Sequence, residues 1–246
     1  MSTVANTPEQ RRHIRLLDHD ADLAGAVPAE DRERARQALV SPVLRIPGGE
    51  IDVDTLGLPD DASSLVLVRG LIASDVVLAQ HELSELLIEG DVLLPFQPSA
   101  DGLPSRRRLT ALDTTYVAAL DQRFMRAAAA WPSLLVEIHR RLGQQEHRIA
   151  VHGVICQLPR VEQRVLAVMH HLATRTGKVR GEGTHIPIHM THQALGRLIG
   201  AQRPTVSLAV KRLGEEGRLQ RRDDGTWLLP TGFGDPADLP DGLLER

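Results

Sequence analysis

The stretch MTHQALGRLIGAQRPTVSLAVKRLGEEGRLQRRDDGTWLL, residues 190–229, decides the reading of this chain. Thr191 is a good N-cap, and Ala194, Leu195, Leu198 and Ile199 follow it at helical spacing. Gly200 stops that helix, as glycine does where the next residue must turn left-handed. A second helix opens at Gln202-Arg203-Pro204-Thr205, because proline suits a first turn in which its missing N–H has no partner. Val206, Ala209, Val210 and Leu213 form its buried stripe, which leaves Arg203, Thr205, Ser207, Leu208, Lys211 and Arg212 on or near the other face. Two short helices joined by a tight glycine-containing turn make a helix-turn-helix. The residues RLQRRDDGTWLL then predict a hairpin turning at Asp224-Gly225, with Leu219, Trp227, Leu228 and Leu229 in its strands. Helices and hairpin together predict a winged helix.

A small helical subdomain with a solvated basic face would give the same apolar pattern, and charge separates the two readings. Residues 159–229 carry twelve Lys or Arg against six Asp or Glu, whereas residues 1–130 carry thirteen against twenty. The net charge of −3 therefore hides a basic excess confined to the segment with the two helices and the wing. Such a segregated patch is the electrostatic footprint of a DNA reader.

The run THQALGRLIGAQRPTVSLAVKRLGEEG resembles the DNA-binding signature of the Crp/Fnr superfamily of bacterial transcription regulators. Thr191, Leu195, Gly196, Leu198, Gly200, Arg203, Thr205, Val206, Ser207 and Leu213 match that signature. Three positions depart from it. Ala194 replaces an acidic residue of the first helix, Pro204 replaces a base-reading residue that is often Glu, and Leu208 replaces a second recognition-helix arginine. The resemblance implies that Arg203 contacts a guanine, bidentate to O6 and N7, with Thr205 or Ser207 adding a base contact. Thr191, His192, Gln193, Gln202, Lys211, Arg212, Arg221 and Arg222 are expected on the DNA backbone, where they set position without reading sequence. With the Glu and second Arg missing, the preferred site is expected to differ from the cyclic-AMP-receptor operator.

Upstream, residues 158–177 predict an amphipathic helix with Val165, Leu166, Val168, Met169 and Leu172 inward. Trp131-Pro132 opens a longer helical run in which Leu135, Ile138, Leu142, Gln145, Ile149, His152 and Cys156 recur at alternating three- and four-residue steps, a heptad seam. An ordinary core helix is the alternative. The resemblance makes this helix the dimer interface, with Leu135, Ile138, Leu142 and Ile149 across a two-fold axis. Short apolar runs broken by Gly70 and Gly90-Asp91 predict strands over residues 42–120. They are similar to the β-roll of a cyclic-nucleotide-binding domain.

The expected class is thus α+β: an N-terminal cyclic-nucleotide-binding-like β-roll with short N-terminal helices (1–120), a dimerisation helix and linker (121–157), a winged helix-turn-helix (158–230) and a flexible tail (231–246). Leu16, Leu17, Leu23 and Val27 are expected to pack on the roll, and Leu243 and Leu244 could dock from the tail. In the resembled family the nucleotide phosphate is held by a Gly-Glu-(Leu/Ile)-Ala run and a following Arg-(Ser/Thr)-Ala. Here Gly90-Asp91 is followed by VLLPFQPSADGLPSRRRLTA, with no Gly-Glu pair and with Pro95 and Pro98 where the cassette helix would lie. Cyclic AMP binding in the usual mode is not expected. Arg106, Arg107 and Arg108 are the candidate anion contacts of an effector pocket, unless they are solvated charge on an exposed strand edge.

Other chemistries leave weaker signals. Cys156 is the sole cysteine, against the four or so that an iron–sulfur cluster needs, and one thiol suits the reducing cytoplasm. His81 is a lone candidate haem ligand. His185, His189 and His192, with His170-His171 upstream, raise a metal hydrolase, but no His-Glu-x-x-His and no carboxylate inside the cluster supports it. No cofactor, no metal and no catalytic role is expected. The sequence contains no signal core and no long apolar run to span a membrane. The expected function is a sequence-specific regulator that binds double-stranded DNA as a homodimer, with RNA polymerase as a candidate partner and the effector unidentified. A ligand-sensing or scaffold protein whose winged helix binds protein is the alternative.

Overall fold

The computed structural model describes residues 12–79, 81–94 and 105–231. The first part of the chain runs β1 (Arg12–Arg15), α1 (Ala21–Ala26), α2 (Arg32–Ala38), β2 (Val40–Ile46), β3 (Gly49–Ile51), β4 (Ser64–Arg69), β5 (Ile72–Leu78), β6 (His81–Leu87), β7 (Val92–Leu93), β8 (Ser105–Ala111) and β9 (Thr115–Leu120). These strands form two sheets, ordered β1-β2-β9-β4-β7 and β3-β8-β5-β6. The chain divides into two compact units, the first running to Arg148 and the second from Ile149, with Glu82–Ser84 counted in the second.

The near-continuous apolar character of β4 and β9 follows from burial on both faces. Side chains alternate across a strand, so Leu65, Leu67, Val117 and Ala119 enter the space between the two sheets with Leu44, Ile46, Ile72 and Leu109. Their neighbours Val66, Ala118 and Leu120 point the other way, onto Leu16, Leu23, Leu39, Phe124 and Trp131. Leu16, Leu17, Leu23 and Val27 are all buried in that second layer, as their spacing implies. Each such side chain contributes about 1.5–3 kcal/mol relative to exposure. Strand β1 is an element the sequence does not announce. Its four residues hold only Ile14 as an apolar side chain, and the strand exists by pairing antiparallel with β2.

Two helices follow, α3 (Gln122–Ala128) and α4 (Pro132–Cys156). Asp121 caps α3, its carboxylate accepting from the Phe124 N–H at 2.8 Å. Ion pairs hold α4, as far as Arg148, to the roll. Arg141 donates to both carboxylate oxygens of Asp20 at 2.6 and 2.7 Å and to the Gly90 carbonyl at 2.8 Å. Arg148 donates to Asp91 at 2.7 Å.

These contacts change the reading of the heptad seam. Ile138 is buried in the roll's own helical layer, Gln145 donates to Glu85 at 3.1 Å, and His152 bonds the Leu198 carbonyl. All three alternate seam positions are spent inside the chain, so Ile138 is not open to a partner subunit. Leu135, Leu142 and Ile149 stay partly exposed, and Val136 and Val154 are exposed at 66% and 59%. The outward apolar line of α4 therefore lies about a third of a turn away from the seam as read. A period of seven marks a stripe, but only the surrounding fold says which flank of it is already covered.

The second unit contains α5 (Val161–Thr176), β10 (Lys178–Arg180), β11 (Gly183–Ile186), α6 (His192–Ile199), α7 (Arg203–Glu215), β12 (Gln220–Arg221) and β13 (Trp227–Pro230). Val165, Leu166, Val168, Met169 and Leu172 of α5 are buried, as expected from their periodicity. The wing is larger than a hairpin. Its sheet is ordered β10-β11-β13-β12, and β11 pairs antiparallel with β13. The segment around His185 is thus a sheet strand. Residues 1–11, Pro95, Pro98, Leu243 and Leu244 lie outside the described residues, as does the tail from 232.

Candidate nucleic-acid interface

Helix α6 is set at both ends by local chemistry. The Thr191 hydroxyl accepts from the Ala194 N–H at 3.1 Å, and Gly200 takes the left-handed conformation at φ 62°. The turn that follows packs tightly on the helix: a Cβ at Gly196 would come within 2.5 Å of the Ala201 carbonyl oxygen. That approach, with Leu195, Leu198 and Ile199 buried, fixes how α7 leaves α6. The C-terminal carbonyls of α6 are met from behind. His152 and the Cys156 thiol, the latter at 3.3 Å, both bond the Leu198 carbonyl, and Arg164 donates to Ile199 at 3.3 Å and to Leu158 at 2.6 Å. Burial lowers the His152 pKa and raises that of Cys156, the latter opposed by the charge of Arg164. None of these three roles has a sequence signature, because each partner lies on another element.

Helix α7 begins at Arg203 with Pro204 in its first turn, and it buries Val206, Ala209, Val210 and Leu213. Arg203, Thr205, Leu208 and Lys211 are exposed, Leu208 by 49%. Ser207, expected as a base reader, is engaged within the protein. Its hydroxyl donates to the Arg203 carbonyl at 3.0 Å and meets His192 Nδ1 at 2.9 Å. An early-helix serine bonded in this way has no hydrogen left to donate to a base edge.

The basic residues among the expected DNA contacts, Arg203 for a base and the others for the backbone, fall into two groups. Arg203 and Arg221 are exposed and have no acidic partner among the described residues, Arg221 lying over the Trp227 ring at 5.9 Å from its centroid. Arg212 and Arg222 are engaged, with Glu162 at 2.8 Å and Glu182 at 2.6 Å, and Lys211 stands 3.7 Å from Glu215. These pairs are solvent-exposed and cost little to open. Gln193 and Gln202 are exposed, and Gln202 precedes α7 without a side-chain cap bond. The wing turn closes as expected at Asp224-Gly225: the Gly225 N–H donates to the Arg222 carbonyl at 2.9 Å, and Asp224 accepts from the Thr226 N–H at 2.9 Å.

The histidine group is dispersed. His185 bonds the Thr226 hydroxyl at 2.9 Å while His192 bonds Ser207, and no group of three or more His, Cys, Asp or Glu among the described residues is placed to hold a metal.

The three arginines of β8 also separate. The strand lies between β3 and β5, but β3 is registered only with Leu109–Ala111, so Arg106–Arg108 are paired with β5 alone and lie on a locally open edge. Arg106 is exposed. Arg108 donates from Nε and Nη2 to Asp75, at 3.0 and 2.8 Å, and Asp75 is fully buried. Arg107, on the same face as Leu109, donates to Ser74 at 3.0 Å and to the Leu94 carbonyl at 3.3 Å. Burial lowers its pKa, and Glu85 opposes that shift. Arg107 borders a cavity of about 1140 Å³ lined by Ile51, Val53, Leu58 and Leu109, with the exposed carboxylates of Glu50, Asp52, Asp54 and Asp60 also along it. One guanidinium against four carboxylates is poor chemistry for a phosphate.

The architecture defines a β-roll followed by a winged helix-turn-helix. Residues 163–230 match the Crp-like helix-turn-helix domain family. Three solved structures share the fold. One is a CooA variant from Carboxydothermus hydrogenoformans, 15% identical over 97% of this chain and 96% of that one, with a TM-score of 0.59. A second is FixK2 from Bradyrhizobium japonicum, 19% identical over 78% and 93%, with a TM-score of 0.58. The third is the c-di-GMP-responsive global regulator CLP of Xanthomonas campestris, 18% identical over 82% and 99%, with a TM-score of 0.56. No curated protein sequence matches the chain. The chain therefore carries a Crp-like helix-turn-helix domain and has the Crp/Fnr fold, with a cyclic-nucleotide-binding-like roll at its N-terminal end. Among the described residues no helix is long and apolar enough to cross a membrane.

Proposed function

We propose that the protein is a transcription regulator that binds double-stranded DNA as a homodimer, with α7 in the major groove and the β12–β13 wing on the backbone. The observation that carries this reading is the pair of exposed arginines, Arg203 at the head of α7 and Arg221 on the wing, left without acidic partners among the described residues. Arg203 reads a guanine, and Thr205 is the second base contact. Thr191, His192, Gln193, Gln202, Lys211 and Arg221 position the protein on phosphates, and Arg212 and Arg222 join them by exchanging an exposed carboxylate for a phosphate. The dimer forms along α4, with Leu135, Leu142 and Ile149 at the edge of an interface that includes Val136 and Val154. RNA polymerase remains a candidate partner. The domain plan of roll to residue 120, dimerisation helix to 157 and winged helix to 230 supports this division of labour.

The acid-lined cavity beside Arg107, together with the missing Gly-Glu pair, argues against cyclic AMP held in the usual way. A regulator suits this arrangement better than a catalyst. Selection of bound duplexes from a random library, at near-physiological salt and without added ligand, tests the reading. A two-fold symmetric site with half-sites about one helical turn (roughly 34–36 Å) apart, the spacing general to helix-turn-helix dimers, is expected. Absence of binding even at low salt would overturn it in favour of a protein-binding winged helix.

A further inference from the structure

We propose that His192 is a proton-linked element of the DNA interface, so that binding to duplex DNA takes up a proton at this residue and tightens as pH falls. The inference rests on the regulator reading above and adds a control to it.

The argument begins with one hydroxyl proton. Ser207 Oγ gives its only hydrogen to the Arg203 carbonyl, so it must accept from His192, which places the imidazole hydrogen on Nδ1. Nε2 is then a bare lone pair in the neutral ring. It is buried and has no hydrogen-bond partner among the described residues. Protonating Nε2 would create a cation where the fold is arranged against one. Arg203 at the head of α7 and Arg221 on β12 both act on the ring, and the remaining close neighbour is the Trp227 indole of β13, 6.2 Å between centroids. His192 is also the first residue of α6, at the positive end of that helix's dipole. Burial first, then Arg221 and Arg203, lower the His192 pKa.

The repulsion from the two arginines reverses when DNA arrives. A helix N-terminus flanked by two unpaired arginines is where a phosphate binds. A phosphate on Arg221, and the guanine acceptors on Arg203, offset the repulsion that kept the ring neutral. Arg221 and His192 both neighbour the Trp227 ring, so drawing Arg221 onto the backbone changes the surroundings of the imidazole. The His192 pKa thus rises on binding from its lowered free value. Between the two values the complex holds a proton that the free protein lacks, and affinity increases with acidity. Above both values the effect is absent.

The test uses the full-length chain and a duplex of arbitrary sequence at fixed ionic strength, with affinity measured from about pH 5.5 to 8. Affinity of the unaltered protein should rise by up to about tenfold per pH unit and per protomer as pH falls through the window. His192→Gln, which keeps a neutral polar side chain, should lose the rise with falling pH whatever its absolute affinity. His185→Gln should keep it. An equal pH slope in the unaltered protein and His192→Gln would overturn the proposal while leaving the regulator reading intact. No binding by any of them at low salt would overturn both.

Discussion

The two units of this protein use arginine in opposite ways. In the roll, Arg108 and Arg141 are tied to buried carboxylates, Asp75 and Asp20, and Arg107 bonds Ser74 and a carbonyl. In the winged helix, Arg203 and Arg221 reach solvent with no acidic partner among the described residues. A guanidinium that is already paired holds a fold together. One that is left unpaired is available to a ligand of opposite charge. The acidic excess of the first 130 residues and the basic excess of 159–229 are the sequence-level trace of this difference.

Breaking a paired arginine should produce the largest effect. Arg141→Ala removes the cation from Asp20, whose side chain is 9% exposed and keeps only the Leu23 N–H, and leaves the Gly90 carbonyl without the guanidinium donor. A loss of about 3–5 kcal/mol in unfolding free energy is expected, with denaturant titration as the check. A loss under about 1 kcal/mol, the range of surface pairs, would erase the distinction between the two units. Arg203→Ala should do the reverse: folding stability barely changes, while discrimination at one base pair falls by about 1–3 kcal/mol. Equal weakening on all sequences would demote Arg203 to a backbone contact.

Smaller effects sharpen the same contrast. Thr191→Ala removes the N-cap of α6 and should cost about 1 kcal/mol in the stability of the winged unit. An unchanged melting temperature would mean that the packing of Leu195 and Ile199 alone sets the helix. Lys211→Ala should leave stability untouched and flatten the salt dependence of DNA affinity by about one unit of slope. An unchanged slope would assign Lys211 to its pair with Glu215 instead of to a phosphate.

The winged helix was legible because its decisive signals are local. An N-cap three residues from its donor, a left-handed glycine, a proline in a first turn and a stripe of period 3.6 all act within one or two turns, so adjacent residues record them. The roll was legible only as a class. Its strands follow from apolar runs, but β1 exists through pairing with β2 and the edge or centre position of β8 depends on β3 and β5. The β10–β11 ladder escaped notice because β10 is exposed throughout and shows no alternation.

By itself the sequence determined the fold class, the start of the second helix of the helix-turn-helix and the residue at its head. Helical and turn propensities are properties of neighbouring residues, and charge segregation survives folding. Only the tertiary structure decided which flank of α4 faces out, which arginines are spent, and that Ser207 and His192 hold one another. Each of those outcomes depends on an atom from a distant element satisfying a buried polar group or covering an apolar one. No spacing along the chain encodes that meeting.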